Sequence, residues 1–157
     1  MPNLPSTPPL EPTDLSSAFS DNLGFMVNKV AEHINRAIER VTKPYGLSVS
    51  QYGLLVLLQA EGPQPQTVLS NRVGLDRTTV MRTVDLLEER GFVLRGAHPT
   101  DRRKHHVTLT EAGEQLLEQT LSTVRQAEGE VAAALSSGEQ AQLRSLLGRL
   151  LESQGAG

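Results

Sequence analysis

No cysteine occurs anywhere in the 157 residues. That absence removes disulfides, thiol-based redox sensing and Cys-ligated zinc together, and with them any peroxide sensor working through a sulfenic acid. Long apolar runs are missing too, since nothing approaches the roughly 18 consecutive apolar residues of a membrane span. The N-terminus lacks a basic stretch followed by an apolar one, so no secretory leader is read there and a cytoplasmic location is expected. There is no Ser elbow, no phosphate-binding Gly loop and no HExxH string. The histidines are His33, His98, His105 and His106. The last two are neighbours on an expected strand, point to opposite faces and cannot readily share a metal. His98 and Asp101 lack a third ligand at suitable spacing. No catalysis, no metal site and no cofactor are therefore expected.

The net charge of −3 argues at first sight against a nucleic-acid partner, but its distribution reverses the inference. Between Arg72 and His106 eight bases stand against five acids, whereas the rest of the chain has seven bases and thirteen acids. Phosphate contacts are local and driven by counterion release, so a basic segment can bind DNA while the body is acidic. The alternative is a solvated charge cluster, an unusual feature for a hairpin tip that faces no polyanion.

That basic segment has an internal order. Val68, Leu69 and Val73 form a short apolar-periodic run closed by Gly74, which accepts the left-handed geometry of a helix C′ position. Asp76 follows as an N-cap for a second helix, Arg77 to Arg90, so the pair is a helix-turn-helix. Val80, Val84 and Leu87 give the second helix one buried face. Its first turn and opposite face offer Arg77, Thr78, Thr79 and Arg82, side chains that suit base edges and phosphates in a major groove. Gly91 closes the helix. Phe92 to Arg95 and His105 to Thr110 alternate as strands, with Phe92, Leu94, Val107 and Leu109 as their apolar positions. The tip between them carries Asp101, Arg102, Arg103 and Lys104. Asp101 can hold Arg103 extended, and an extended arginine fits a narrow minor groove.

GLDRTTVMRTVDLLEERGFV followed by HPTDRRKHHVTLTEAG resembles the winged helix-turn-helix of MarR-type transcriptional regulators, including the DRR of the wing and the V-x-L-T-x-x-G leading into the next helix. The resemblance runs from about Ala18 to Leu151. Pro65 departs from it, standing where the family usually has a Ser or Thr cap, and Met81 stands where a small polar residue is common. The resemblance implies a mainly α fold with a small β-hairpin wing, and long N- and C-terminal dimerisation helices. It further implies a homodimer on double-stranded DNA with a pseudo-palindromic operator, and a repressor released by a small aromatic or phenolic ligand. His33, Arg36, Tyr45 and Tyr52 are the candidate ligand contacts. Ordinary roles compete for each: Tyr52 as a core residue, His33 and Arg36 on a solvated face. A winged protein-interaction module and a weakly specific architectural DNA binder are the alternative functions.

In order, the chain is expected to begin with a flexible Pro-rich arm over residues 1–14, followed by an N-terminal dimerisation helix and connection over 15–47. An apolar stripe from Ala18 to Thr42 marks that helix, and Pro44 and Gly46 end it. The DNA-binding unit spans 48–110. It opens with the capping box Ser48-x-x-Gln51, and its first helix stops at Gly62, Pro63 and Pro65. C-terminal dimerisation helices fill 111–157. The first is capped by Thr110 and runs to about Leu135 along Leu116, Leu117, Leu121, Val124, Val131 and Leu135, with Gly113 and Gly129 lowering its propensity. The second opens at a box of Ser137 and Gln140. The terminal helices carry more apolar surface than one winged domain can cover, which predicts a two-fold dimer.

Overall fold

A side-chain cap starts the first described helix. The computed structural model describes residues 21–97 and 105–154; the Pro-rich arm, the expected helix start at Ala18 and the tip residues His98 and Asp101 to Lys104 lie outside them. Two compact units divide the chain, one up to Glu32 and one from His33. In the first, the Asn22 side chain accepts from the Phe25 amide at 2.9 Å, and this cap starts helix α1 (Leu23–Thr42). Lys29 pairs with Glu32 at 3.1 Å, while Leu23, Met26, Val27 and Val30 are exposed.

The second unit holds the rest of α1, then a 3-10 turn (Lys43–Tyr45) and α2 (Val49–Glu61). It continues with β1 (Gln64–Pro65), α3 (Gln66–Val73), α4 (Arg77–Glu89), β2 (Val93–Ala97), β3 (His105–Leu109), α5 (Glu111–Val131) and α6 (Ser137–Gln154). Among the described residues, no helix is long and apolar enough to cross a membrane. Gly46, at φ 66°, closes the 3-10 turn. Both hydrogen bonds of the expected capping box form at α2: Ser48 accepts from the Gln51 amide, and Gln51 accepts from the Ser48 amide. The core gathers Leu54, Leu55 and Leu58 of α2, Leu69 of α3, Val80, Val84 and Leu87 of α4, Val93, Val107 and Leu117. Val80, Val84 and Leu87 are completely buried, each contributing roughly 1.5–3 kcal/mol by leaving water.

Several expectations need correction. The sheet has three antiparallel strands in the order β1-β3-β2, not two; Gln64 pairs with Val107 and Pro65 with His106. A proline fits so short an edge strand because no inner ladder bond needs its missing N–H. The first wing strand presents Val93, 1 % exposed, to the core, and leaves Leu94 47 % exposed. Register explains this: Val93 lies opposite Leu109 and Arg95 opposite Val107, so Leu94 and Thr108 share the other face. Helix α5 ends at Val131 rather than near Leu135, and Thr120 and Ala127 join its buried line. Thr120 tolerates burial because its hydroxyl donates to the Leu116 carbonyl at 2.8 Å. The box opening α6 is Ser136 with Glu139, one residue before the expected pair. Glu139 accepts from the Ser136 amide and hydroxyl, both at 2.8 Å. A carboxylate beside a helix N-terminus is favoured over a neutral amide.

Candidate nucleic-acid interface

The turn between α3 and α4 is built by two residues. Gly74 takes φ 66° at the end of α3, a left-handed conformation costly for any residue with a Cβ. Asp76 then caps α4: one carboxylate oxygen accepts from the Thr79 amide at 2.9 Å, the other from the Thr79 hydroxyl at 2.5 Å. The Thr79 hydroxyl and amide hold the Asp76 carboxyl below the usual carboxylate range. Thr79 therefore has its hydroxyl hydrogen committed to the cap.

Arg77, Thr78, Thr79, Met81 and Arg82 are all exposed, on the side of α4 opposite the buried Val80, Thr83, Val84 and Leu87. No acid occurs in the helix before Asp85. The exposed face of α4 ahead of Asp85 is thus short, cationic and polar apart from Met81, and Leu86 is a second exposed apolar side chain further along.

Two of the acids that follow, Asp85 and Glu88, are engaged by the wing. Arg95 of β2 pairs with both Asp85 and Glu88 of α4. Its own backbone N–H donates to the second Glu88 oxygen at 2.7 Å. These bonds from Arg95, the backbone one first, hold the Glu88 carboxyl below its ordinary range. The network fastens the first wing strand to α4 and offsets one of the two negative charges on its flank. Sequence reasoning counted Arg95 among the cations available to phosphate and missed this role, because the partners lie seven and ten residues away across a turn.

Two more of the segment's cations are structural. Arg90 donates to the Gly46 carbonyl at 2.7 Å and the Tyr45 carbonyl at 2.5 Å, and its guanidinium lies 4.8 Å from the centre of the Phe92 ring. Arg72 pairs with Glu61 at 3.1 Å. Within the described part of the segment, Arg77 and Arg82 are the exposed cations at the start of α4.

The ligand candidates fall in different surroundings. Tyr52 lies in the core. No partner among the described residues meets its hydroxyl in hydrogen-bonding geometry, and the neighbouring Thr120 spends its hydrogen on Leu116. Burial pushes the Tyr52 phenol up, an effect the nearby Thr120 hydroxyl only tempers. Tyr45 is exposed in the 3-10 turn, and His33 is half-buried at the start of the second unit. Arg36 lines an open groove with Glu39, Arg40, Lys43 and Pro44.

A helix-turn-helix whose second helix is backed by an antiparallel wing defines a winged-helix transcriptional regulator. The MarR family model matches residues 47–105. A transcriptional regulator of the MarR family from Rhodococcus sp. RHA1 is 32% identical, with a TM-score of 0.77 over 84% of this chain and 94% of that one. CouR from Rhodococcus jostii RHA1, solved with p-coumaroyl-CoA, is also 32% identical, with a TM-score of 0.76 over 84% and 93%. A transcriptional repressor named CouR, bound to a 23-mer DNA duplex, is 26% identical, with a TM-score of 0.76 over 86% and 96%. On this evidence the chain belongs to the MarR family.

Proposed function

We propose that this regulator is a sequence-specific repressor that binds a pseudo-palindromic operator as a homodimer and is released by a small aromatic or phenolic effector. The observation that carries the reading is the outward half of α4. Arg77, Thr78, Thr79 and Arg82 project from a capped helix start with no acid among them, and the acids behind them are tied to Arg95. Arg82 and Arg77 suit guanine edges, and the threonine methyls suit thymine. Asp101, Arg102, Arg103 and Lys104 are assigned to the adjacent minor groove and its phosphates. A similar fold on a DNA duplex supports the placement.

The dimer rests on uncovered apolar surface. Leu143, Leu146, Leu147, Leu150 and Leu151 of α6 are exposed, as are four apolar residues of the first unit's helix. A second copy related by a two-fold axis covers such faces and sets two recognition helices roughly 34 Å apart, one duplex turn. The effector reading is supported by the p-coumaroyl-CoA held by a similar protein, a phenolic acid carried on coenzyme A. His33, Arg36, Tyr45 and Tyr52 are its assigned contacts.

Selection of bound sites from a random duplex pool tests the proposal. The expected product is an inverted repeat with half-sites one turn apart, bound by a dimer in sedimentation. Arg103→Ala is expected to weaken all duplexes and flatten the salt slope by about one unit, while Arg82→Ala mainly relaxes sequence preference. Enrichment of no motif, or tight binding unaltered in both variants, refutes it.

A further inference from the structure

Single exposed apolar side chains are ordinary on protein surfaces, but the setting of Met81 is not. Met81 is 52 % exposed in the middle of the α4 face that carries Arg77, Thr78 and Arg82. Arg77, Met81 and Asp85 recur at i, i+4 and i+8, so they stand one above another along that face. Nearby, Asp76 holds the hydroxyl hydrogen of Thr79, and Thr83 donates its own to the Thr79 carbonyl at 2.8 Å. The far end of the row is closed: Asp85 pairs with Arg95 at 2.5 Å, and the same guanidinium nitrogen reaches the Met81 carbonyl at 3.4 Å. The wing thus touches the backbone of Met81 and leaves its side chain in solvent.

Each base edge in the major groove calls for its own kind of side chain. Guanine's two acceptors suit Arg77 and Arg82. Adenine's adjacent donor and acceptor suit Asn or Gln, and α4 has neither. The amino group of cytosine needs a carboxylate, and the one on this row, Asp85, already serves Arg95. Thymine's C5 methyl wants an apolar partner, and Met81 is the large exposed apolar side chain ahead of Asp85. An unbranched thioether with three rotatable bonds can follow a methyl over a range of distances. We propose that Met81 reads the C5 methyl of a pyrimidine, so that the preferred half-site carries thymine or 5-methylcytosine at a fixed step from a guanine met by Arg77. The inference rests on the DNA-reading function above and adds to it one specificity-determining residue. Four residues of helix rise about 6 Å, or about two base steps, so the methyl and the guanine lie within roughly two base pairs of each other.

Uracil differs from thymine, and cytosine from 5-methylcytosine, by that methyl alone. Binding of the full chain to the operator recovered from the random pool is measured by fluorescence anisotropy, with uracil placed at each thymine in turn. At one position of the half-site, uracil is expected to bind about fourfold more weakly than thymine, the factor that burial of one methyl-sized group supplies. With cytosine at that position, C5 methylation is expected to recover about the same factor. Met81→Ala is expected to bring both ratios close to one. Alanine is a good helix former and the side chain it replaces is exposed, so the fold is kept. Met81→Leu keeps the apolar bulk and is expected to retain most of each ratio. Arg77→Ala is expected to weaken every duplex and to leave the ratios in place. A selected motif without thymine, or a thymine-to-uracil ratio near one at every position, overturns the proposal. So does a ratio that survives intact in Met81→Ala, because the methyl then belongs to a threonine. Failure to bind any duplex sinks the regulator reading and this inference with it, whereas a selected motif bound without a methyl effect sinks this inference alone.

Discussion

The guanidinium of Arg90, at the end of α4, is held by the carbonyl of Gly46, in the connection between α1 and α2. A second bond to the Tyr45 carbonyl and the stack on Phe92 complete the grip. One end of α4 is thereby fastened to the turn that links the two helices bearing the ligand candidates.

Arg90→Ala is expected to lower stability by about 1–2 kcal/mol, the loss of two exposed charge-assisted bonds. Arg90→Lys is expected to recover less than half of it, because an ammonium cannot reproduce the planar fork that meets two carbonyls at once. Urea denaturation of the three proteins checks both. Equal midpoints for all three would show that the contact contributes nothing.

Gly113 occupies a place where no other residue fits. A Cβ there would stand 2.3 Å from the Phe92 carbonyl oxygen and 2.7 Å from a Leu109 methyl. Thr110, three residues before, donates from its hydroxyl to the Gly91 carbonyl at 2.6 Å and caps α5 by accepting from the Gly113 amide at 3.2 Å. The wing's last strand and α5 therefore close on the start of the wing through this glycine. Gly113→Ala gains about 1 kcal/mol of helix propensity yet is expected to lose at least about 2 kcal/mol net, since a backbone carbonyl must move. A variant as stable as the parent in thermal melts would refute the packing argument.

Local chemistry was legible in the sequence, and long-range pairing was not. Ser48, Asp76 and Thr110 announced their helices because a cap bonds within three residues of itself. The buried face of α4 followed from Val80, Val84 and Leu87 in the same way. Phe92 does pack against the core, but Leu94 faces solvent and Val93 takes the inner place, because register is set by β3, more than ten residues away. Ser136 and Ser137 each head a plausible box, and only the carboxylate of Glu139 decides between them. At the reading face, Arg77, Thr78, Thr79 and Arg82 were visible as an exposed set, but the employment of Arg72, Arg90 and Arg95 by acids and carbonyls was hidden in a simple count of charges.

The Arg95 network makes stability depend on acid. Glu88 has its folded pKa held below the ordinary 4.5, so the unfolded chain binds the extra proton first as pH falls. The contribution is fully present above about pH 4.5 and is lost as pH drops through the lower folded value. Arg95→Ala is expected to flatten that part of the stability profile. It is also expected to weaken duplex binding at neutral pH, because Asp85 and Glu88 then face the phosphates uncompensated. Urea titrations between pH 3 and pH 7, with duplex binding at pH 7, measure both; parallel pH profiles for parent and variant would exclude the linkage.

Among the described residues the Tyr52 hydroxyl is buried without a partner in hydrogen-bonding geometry, which costs about 1–3 kcal/mol relative to a satisfied group. Replacing the phenol by phenyl removes the unmet donor while keeping the ring among Leu55 and its neighbours in the core. Tyr52→Phe is therefore expected to be neutral or to gain up to about 1 kcal/mol, an unusual sign for a substitution in a fully packed core. If the hydroxyl is held for the effector, the same variant loses affinity for p-coumarate while its stability rises. Loss of more than about 1 kcal/mol in urea denaturation would mean that the hydroxyl has a partner in the folded protein after all.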